Sequence, residues 1–257
     1  MAEHNFSKVD TRVRFPSPAQ FSIRGLASIG YNRCMKRPQF LHTLQKKIQK
    51  KNEFVFVAIG DSAAEGIGAS VASRTYSGVV REYLSMIYPR VSYHNLGRRR
   101  STTQEVILEQ LEKAIVMKPD LITVSVGAND IRTGSMLFRF EKRLSYLLKR
   151  LKEETNAVIV INTLPDFSYT PSVPRPAKLI SRLVIRRFNR SIRKVSIRAD
   201  VVLVDLYHQS KVYVKGYPEM IATDNFHPSD FGYAIWANSI IHHLQTAFHL
   251  KKIAFAV

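Results

Sequence analysis

The sequence has only one cysteine, Cys34, among its 257 residues, so no disulfide can form within the chain. It has no run that approaches the roughly 18 consecutive apolar residues of a membrane-spanning helix. Residues 15–31 are interrupted by Pro, Ser, Gly and Arg, and therefore lack the apolar centre of a signal peptide. These absences argue against a disulfide-stabilised scaffold and a membrane-spanning fold, and we expect a cytoplasmic location.

Acidic residues are also scarce, with 20 Asp and Glu against 39 Lys and Arg, which gives a formal net charge of +19. Two segments carry almost all of this excess. Residues 1–50 have a net charge of +8, and residues 175–198 have nine basic and no acidic residues, which leaves +2 for the rest. We predict that residues 1–50 form a basic, poorly ordered leader, unless translation starts at Met35, and that residues 51–257 form the folded domain.

The sequence shows no motif that is typical of a metal site or a nucleotide cofactor. The stretch GIGAS at 66–70 lacks the Lys-Ser/Thr pair of a phosphate-binding loop. The spacing between histidines and carboxylates that is typical of metal ligands is not found at His94, His208, His242, His243 or His249. We therefore expect neither a metal ion nor a cofactor.

Short apolar runs alternate with amphipathic segments from residue 53 onward. The apolar runs predict five β-strands, at residues 53–59, 91–96, 120–127, 157–162 and 201–206. The remaining segments predict five helices, at residues 71–87, 102–117, 135–154, 177–198 and 229–247. This alternation indicates an α/β protein in which helices cover both faces of a parallel sheet.

Three polar clusters lie where strands end or where the last helix begins. Gly60-Asp61-Ser62 follows the first predicted strand, Gly127-Ala128-Asn129-Asp130 follows the third, and Asp224-Asn225-Phe226-His227 precedes the last helix. Each cluster alone is also typical of an ordinary turn or helix cap. Together they place a serine, an amide and an Asp–His pair at the edge of the sheet where ligands bind in such folds.

The three clusters together resemble the SGNH hydrolases, also called GDSL-type esterases or lipases, over about residues 53–247. The resemblance implies a flavodoxin-like, three-layer α/β/α fold with a five-stranded parallel sheet. It also implies that Ser62 is the nucleophile, that His227 acts as general base and then acid, and that Asp224 orients His227. The Ser62 amide, the Asn129 side chain and one further backbone amide would hold the oxyanion.

One block of the sequence departs from the family pattern. Where the family has an Asn, a Gly, then Ser-Gly and a Thr, this chain has NLGRRRSTT at 95–103. Aligning Asn95 and Thr102 places Arg100 at the glycine of the oxyanion hole. A backbone amide survives this change, so we expect either a crowded pocket or a charge that attracts anionic substrates. The resemblance also suggests substrate-binding roles for Leu164, Asp166 and Phe167.

The basic segment 175–198 predicts a helix with a cationic stripe. At 100° per residue, one third of the circumference carries Arg175, Lys178, Arg182, Arg186, Arg190 and Arg193. The opposite side carries Ile180, Val184, Phe188, Ile192 and Val195, which we expect to pack on the protein. The stripe is either a solvated face or a contact for an anionic surface such as phospholipid head groups or nucleic acid, and of these two we do not expect nucleic acid to be the partner.

The patterns favour hydrolysis of carboxylic esters through an acyl-enzyme, with Ser62, His227 and Asp224 as the catalytic residues. The sequence does not identify the substrate, which is a short acyl ester, a lysophospholipid or an acetylated sugar. The alternative is a non-catalytic basic module of the same fold that binds anionic membranes or nucleic acid. The presence of all the catalytic side chains argues against this alternative, and only Arg100 favours it.

Overall fold

The computed structural model describes residues 52–213 and 218–248, so the predicted leader at residues 1–50 and Met35 lie outside the described residues. The described part contains one sheet of five parallel strands: β1 (Phe54–Gly60), β2 (Val91–Asn95), β3 (Leu121–Ser125), β4 (Val158–Asn162) and β5 (Val202–Val204). Their order across the sheet is β2-β1-β3-β4-β5. This order is that of flavodoxin-like proteins, as predicted.

The helices of the described residues lie between and after the strands. They are α1 (Ser62–Glu65), α2 (Tyr76–Ser85), α3 (Thr103–Val106), α4 (Glu112–Val116), α5 (Ala128–Arg132), α6 (Leu137–Glu154), α7 (Arg175–Ala199), α8 (Leu206–Tyr213) and α9 (Asp230–Phe248). A π-helical turn, Ile107–Leu111, joins α3 to α4. Across the part of the chain described, no helix combines the length and apolarity that a bilayer crossing requires.

Helices pack on both faces of the sheet and give the molecule three layers. Val57 and Ile59 of β1 belong to the hydrophobic core that also contains Phe140 of α6 and side chains of α7. On the other face α2 packs against α9, where the ring of Tyr76 stacks on that of Trp236 at a centroid distance of 4.5 Å. The predicted three-layer α/β/α architecture is confirmed.

The helix predicted at residues 71–87 is shorter in the structure. Residues Ala72–Arg74 form a separate 3₁₀ turn, and α2 begins only at Tyr76. The break occurs because the Thr75 hydroxyl accepts a hydrogen bond from the backbone N–H of Gly78 at 2.9 Å and caps the helix there. The helix therefore begins at the capping residue, although the amphipathic pattern of the sequence extends toward the N-terminus as far as residue 71.

The region around the fifth strand also differs from the prediction. The strand predicted at 201–206 ends at Val204, and the following residues form α8 instead of a loop. The Asp205 carboxylate accepts a hydrogen bond from the backbone N–H of His208 at 3.3 Å and so starts this helix. The helix predicted at 177–198 begins two residues earlier, with Pro176 in its first turn, where proline is well tolerated.

The strand order fixes the position of the functional site. The chain passes from β1 to β2 on one side and then returns to β3 on the other side of β1. The connections that leave β1 and β3 therefore diverge and leave a crevice at the carboxyl ends of these two strands. Ser62 follows β1 and Asn129 follows β3, so both lie at this crevice.

Candidate active site

Ser62 is the first residue of the short helix α1, directly after β1. The Asp61 carboxylate caps this helix by accepting a hydrogen bond from the N–H of Ala63 at 3.0 Å. The turn requires glycine at position 60, because a Cβ there would lie 2.1 Å from the carbonyl oxygen of Ser125. This tight strand-to-helix turn brings the Ser62 hydroxyl to the crevice at the carboxyl edge of the sheet.

His227 and Asp224 reach Ser62 from the loop before α9. The Nε2 atom of His227 lies 2.9 Å from Oγ of Ser62, and its Nδ1 atom lies 2.5 Å from Oδ2 of Asp224. The other carboxylate oxygen of Asp224 accepts hydrogen bonds from the backbone N–H groups of Phe226 and His227, each at 2.9 Å. The three side chains therefore form a continuous Ser–His–Asp chain of hydrogen bonds.

The environment of Asp224 keeps its carboxyl group ionised. Partial burial alone would raise the pKa of Asp224, but the hydrogen bonds from the His227 ring and from two backbone N–H groups outweigh this effect. The pKa is therefore lowered below the ordinary value of an aspartate. A negative charge at this position stabilises a protonated imidazole beside it.

Asn129 lies at the first turn of α5 and is held at both ends of its amide. Its Nδ2 group donates a hydrogen bond to the carbonyl oxygen of Ser101 at 3.1 Å. Its Oδ1 atom accepts a hydrogen bond from Nε of Arg132 at 3.0 Å. The two contacts fix which end of the amide faces Ser101, and they leave one Nδ2 hydrogen without a partner among the described residues. Sequence reasoning missed Arg132, which lies three residues after Asn129.

Arg100 has a backbone conformation that favours glycine. Its φ angle is +66°, in the left-handed region, and its side chain is exposed. The neighbouring arginines are paired, because Arg98 contacts Glu109 and Arg99 contacts Glu65. The Arg100 guanidinium has no hydrogen-bond or ion-pair partner within the described residues. The charge at the position predicted to be the oxyanion glycine therefore faces solvent uncompensated.

The loop that carries Arg100 packs directly on the nucleophile helix. The Asn95 side chain donates a hydrogen bond to the carbonyl oxygen of Ala64 at 2.8 Å. Gly97 approaches so closely that a Cβ there would lie 2.4 Å from the backbone nitrogen of Glu65. These contacts fix the distance between the two loops that would supply backbone donors to an oxyanion.

Gln110 holds the end of β1 through both atoms of its amide. Oε1 accepts a hydrogen bond from the Gly60 N–H at 2.8 Å, and Nε2 donates one to the Gly60 carbonyl at 2.9 Å. Gln110 is buried and lies in the π-helical turn Ile107–Leu111. π-Helical turns are rare and frequently occur at functional sites. This side chain positions the residue two before Ser62, and nothing in the local sequence pattern indicated it.

The Asp61 carboxyl group gives the site a pH-dependent element. Burial raises the pKa of Asp61 to about 7, with the hydrogen bond from Ala63 opposing this shift and the nearby carboxyl group of Asp130 adding to it. An aspartate with a raised pKa contributes stability that is fully present below its unfolded pKa and is lost as pH rises through about 7. The buried, ionised carboxylate of Asp61 therefore lowers the free energy of unfolding at alkaline pH.

We expect Asp61→Asn to be more stabilising, relative to the parent protein, at pH 8 than at pH 5. Asparagine still accepts the hydrogen bond of the helix cap but has no charge to bury. The difference in unfolding free energy between variant and parent should grow by about 3 kcal/mol from pH 5 to pH 8. Urea unfolding at the two pH values measures it. A difference that is the same at both values would contradict the ionisation of a buried Asp61.

The three predicted substrate-binding residues lie in two different environments. Leu164 is part of the hydrophobic core. Asp166 and Phe167 line a cavity of about 90 Å³, together with Phe226 on the loop of the catalytic histidine. The rings of Phe167 and Phe226 lie 5.8 Å apart. Of the three predictions, Phe167 is the residue that contacts the loop of His227, and the substrate-binding role of all three stays a prediction.

A flavodoxin-like sheet with a hydrogen-bonded serine, histidine and aspartate at its crevice is the arrangement of an α/β/α hydrolase. A model of the GDSL-like Lipase/Acylhydrolase family matches residues 58–235. The chain therefore belongs to this family and is a carboxylic ester hydrolase. The described residues contain no group of three His, Cys, Asp or Glu side chains arranged to hold a metal ion.

One curated relative and two solved structures are similar to this chain. An acetylxylan esterase from Geobacillus stearothermophilus is 26% identical over 194 residues, which cover 71% of this chain and 86% of the relative. A variant of a Geobacillus acetyl-xylooligosaccharide esterase superimposes with a TM-score of 0.62 at 21% identity, over 79% of this chain and 97% of that one. A lipase/acylhydrolase from Enterococcus faecalis superimposes with a TM-score of 0.62 at 22% identity, over 75% of this chain and 96% of that one. At these identities the two structures establish the fold.

Proposed function

We propose that the protein cleaves its ester through a covalent acyl-enzyme on Ser62. The Oγ atom attacks the ester carbonyl carbon while Nε2 of His227 takes the hydroxyl proton. The tetrahedral intermediate collapses, and the leaving alcohol takes this proton from His227. A water molecule then attacks the acyl-enzyme with His227 again as base, which releases the carboxylic acid and restores Ser62.

One observation carries this proposal, namely the hydrogen bond between Ser62 and His227. The two residues are 165 positions apart in the chain, yet Oγ and Nε2 lie 2.9 Å apart. A general base must lie within hydrogen-bond reach of the proton that it removes, and this distance meets that condition. The oxyanion would accept hydrogen bonds from the Ser62 N–H, the remaining Nδ2 hydrogen of Asn129 and the Arg100 N–H.

A fluorophosphonate probe tests the covalent step directly. It should label the parent protein once, and tryptic mass spectrometry should place the label on Ser62. Ser70→Ala is the matched control, because the Ser70 hydroxyl is bound by the Asp230 carboxylate at 2.6 Å and has no such bond to an imidazole. Labelling should persist in this control and disappear in Ser62→Ala. A parent protein that takes up no label would favour the non-catalytic binding module instead.

We propose acetyl esters of carbohydrates as the substrate class. The proposal is supported by the acetylxylan esterase that is 26% identical over most of its length. A panel of acetyl, butyryl and octanoyl esters of one alcohol, followed by acetylated xylo-oligosaccharides, tests it. The expected order is acetyl first, with octanoyl poorly cleaved. A preference for octanoyl esters or lysophospholipids would overturn this substrate class but not the acyl-enzyme.

Arg100→Gly separates the backbone of this residue from its charge. Glycine keeps the N–H and relieves the left-handed strain, so the unfolding free energy should stay the same or rise by about 1 kcal/mol. Turnover of a neutral acetyl ester should be retained. If the exposed guanidinium attracts anionic esters, the ratio of anionic to neutral turnover should fall by up to about fivefold.

The ratio is measured with an acetyl ester and a succinyl monoester of the same alcohol. Arg98→Gln serves as the control, since Arg98 is paired with Glu109 and should leave the ratio unchanged. An equal collapse of both rates in Arg100→Gly would show that the side chain maintains the geometry of the loop.

A further inference from the structure

The first ten residues of α7, residues 175–184, form an overhang without a fully buried side chain. The first buried side chain of this helix is that of Ile185. Three apolar side chains of the overhang face solvent, with exposed fractions of 63% for Leu179, 66% for Ile180 and 50% for Leu183. Exposed apolar side chains that lie side by side mark contact surfaces more often than isolated ones do.

The overhang exists because α7 is longer than the helix on which it packs. α7 has 25 residues and α6 has 18. The two helices run parallel: the ring of Phe140 near the start of α6 lies 4.7 Å from that of Phe188, and Lys152 near its end donates to the Asp200 carbonyl. The residues before Ile185 therefore extend past the start of α6. For this reason the prediction that Ile180 packs on the protein is wrong.

Basic side chains continue the exposed face beyond the overhang. Arg186, Arg187 and Arg190 are all exposed. At 100° per residue, Leu179, Leu183, Arg186 and Arg190 fall within a sector of about 60°. Along this sector the apolar side chains come first and the cationic ones follow, without an acidic residue between them.

Two arginines of the predicted stripe are turned toward the protein instead. Nε of Arg182 lies 3.5 Å from the buried carboxylate of Asp166, and its guanidinium lies over the Tyr169 ring at 4.8 Å. Arg193 forms an ion pair with Asp205 at 2.8 Å. The cationic surface is therefore narrower than predicted and is rotated toward the exposed apolar side chains.

The overhang lies at the edge of the sheet that carries the candidate active site. The loop that leads into α7 is joined to the loop 224–227, because Ser172 donates from both its N–H, at 3.3 Å, and its hydroxyl, at 2.8 Å, to the Asn225 carbonyl. The start of α6 at the same edge exposes Met136 by 58% and Phe138 by 64%. Apolar side chains thus accumulate at this edge.

We propose that α7 docks the protein on anionic phospholipid bilayers. The docking face consists of Leu179, Ile180, Leu183, Arg186, Arg187 and Arg190. The apolar side chains enter the interface, and the arginines bind the phosphates of the head groups. Charge complementarity selects an anionic partner, and the exposed apolar side chains select a bilayer over nucleic acid, whose phosphates offer them no apolar environment. This docking does not depend on the proposed chemistry at Ser62.

A tryptophan reporter tests insertion into the bilayer. The chain has one tryptophan, Trp236, and it is buried, so Leu183→Trp adds a second, exposed fluorophore. Its emission should shift to the blue on vesicles with 30% phosphatidylserine and stay unchanged on pure phosphatidylcholine. An unchanged spectrum on both kinds of vesicle would overturn the insertion of the overhang.

Two triple variants separate the apolar and cationic contributions in vesicle co-sedimentation. Replacing Arg186, Arg187 and Arg190 by Gln should weaken binding about 100-fold at low salt and remove most of its salt dependence. Replacing Leu179, Ile180 and Leu183 by Ser should weaken binding while the salt dependence stays. The matched control replaces three exposed basic residues elsewhere, Arg81, Arg90 and Lys113, by Gln and should bind like the parent.

The outcomes distinguish docking from other uses of the face. Hydrolysis of a soluble neutral ester should be the same in all variants, which shows that they are folded. Equal vesicle binding by the parent and both triple variants would overturn the proposal, as would a control that weakens as much as the arginine variant. Loss of a dimer in the serine variant on gel filtration, or tighter binding to duplex DNA than to vesicles, would identify a different partner and overturn it as well.

Discussion

Ser62→Ala is expected to lose about 10⁶-fold in turnover, which is the size of the loss when a triad serine is removed. The Ser62 hydroxyl is the atom that would form the bond to the acyl group, and within the described residues no other oxygen is hydrogen-bonded to Nε2 of His227. The fold should be unaffected, because the side chain caps no helix and its removal opens no core cavity. Turnover of a chromogenic acetyl ester and the melting temperature together measure both expectations.

The same experiment on Ser70→Ala separates the chemistry from a general effect of losing a loop serine. This variant removes the hydrogen bond to Asp230 and should lower stability slightly while turnover stays near that of the parent. Near-normal turnover in pure Ser62→Ala protein would end the acyl-enzyme mechanism. A water molecule activated by His227 would then be the nucleophile to test.

Asn129→Ala is expected to lower kcat by about 10²–10³-fold with little change in KM. Its remaining Nδ2 hydrogen would meet full negative charge only when the ester carbonyl becomes tetrahedral, so its loss weakens the transition state more than the bound substrate. Steady-state kinetics on the acetyl ester separate the two constants. A loss confined to KM would identify Asn129 as a contact to the substrate in its ground state.

Arg132 should act on this reaction only through Asn129. Its hydrogen bond to Oδ1 holds the amide in one orientation, so Arg132→Gln should lower kcat by less than Asn129→Ala does. The double variant should be no slower than Asn129→Ala alone, because the group that Arg132 positions is then absent. Additive losses in the double variant would show that Arg132 contributes independently, for example through its charge.

The strands and the sheet were predictable because their signal is local. A buried parallel strand is a short apolar run, and the five runs gave strands whose limits agree within two residues. Helix limits were less predictable. The Thr75 hydroxyl caps α2, so this helix begins later than the apolar pattern suggests. The Asp205 carboxylate caps a helix where a loop was expected. The burial of Ile180 was mispredicted because helical periodicity contains no information on the length of the neighbouring helix.

The candidate site was predictable as far as its residues form short motifs. Ser62, Asn129 and the Asp224–His227 pair were identified as candidates because each lies in a short polar motif at the end of a strand or the start of a helix. Gln110 and Arg132 were missed, since a glutamine or arginine on a helix has many ordinary uses. Their roles depend on which atoms the fold brings within hydrogen-bond distance, and a single sequence does not specify that.

The π-helical turn Ile107–Leu111 limits the deletions that the helix behind the site can accept. A π turn contains one residue more than a regular α-helix uses for the same rise, and it is the less stable form. Deleting one residue there would give a regular α-helix whose two ends keep nearly the same phase, but the side chains within the turn would change their angular positions around the helix axis. Gln110 lies in this turn, so its two hydrogen bonds to Gly60 depend on the extra residue. The extra residue therefore links the form of this helix to the geometry of the turn before Ser62.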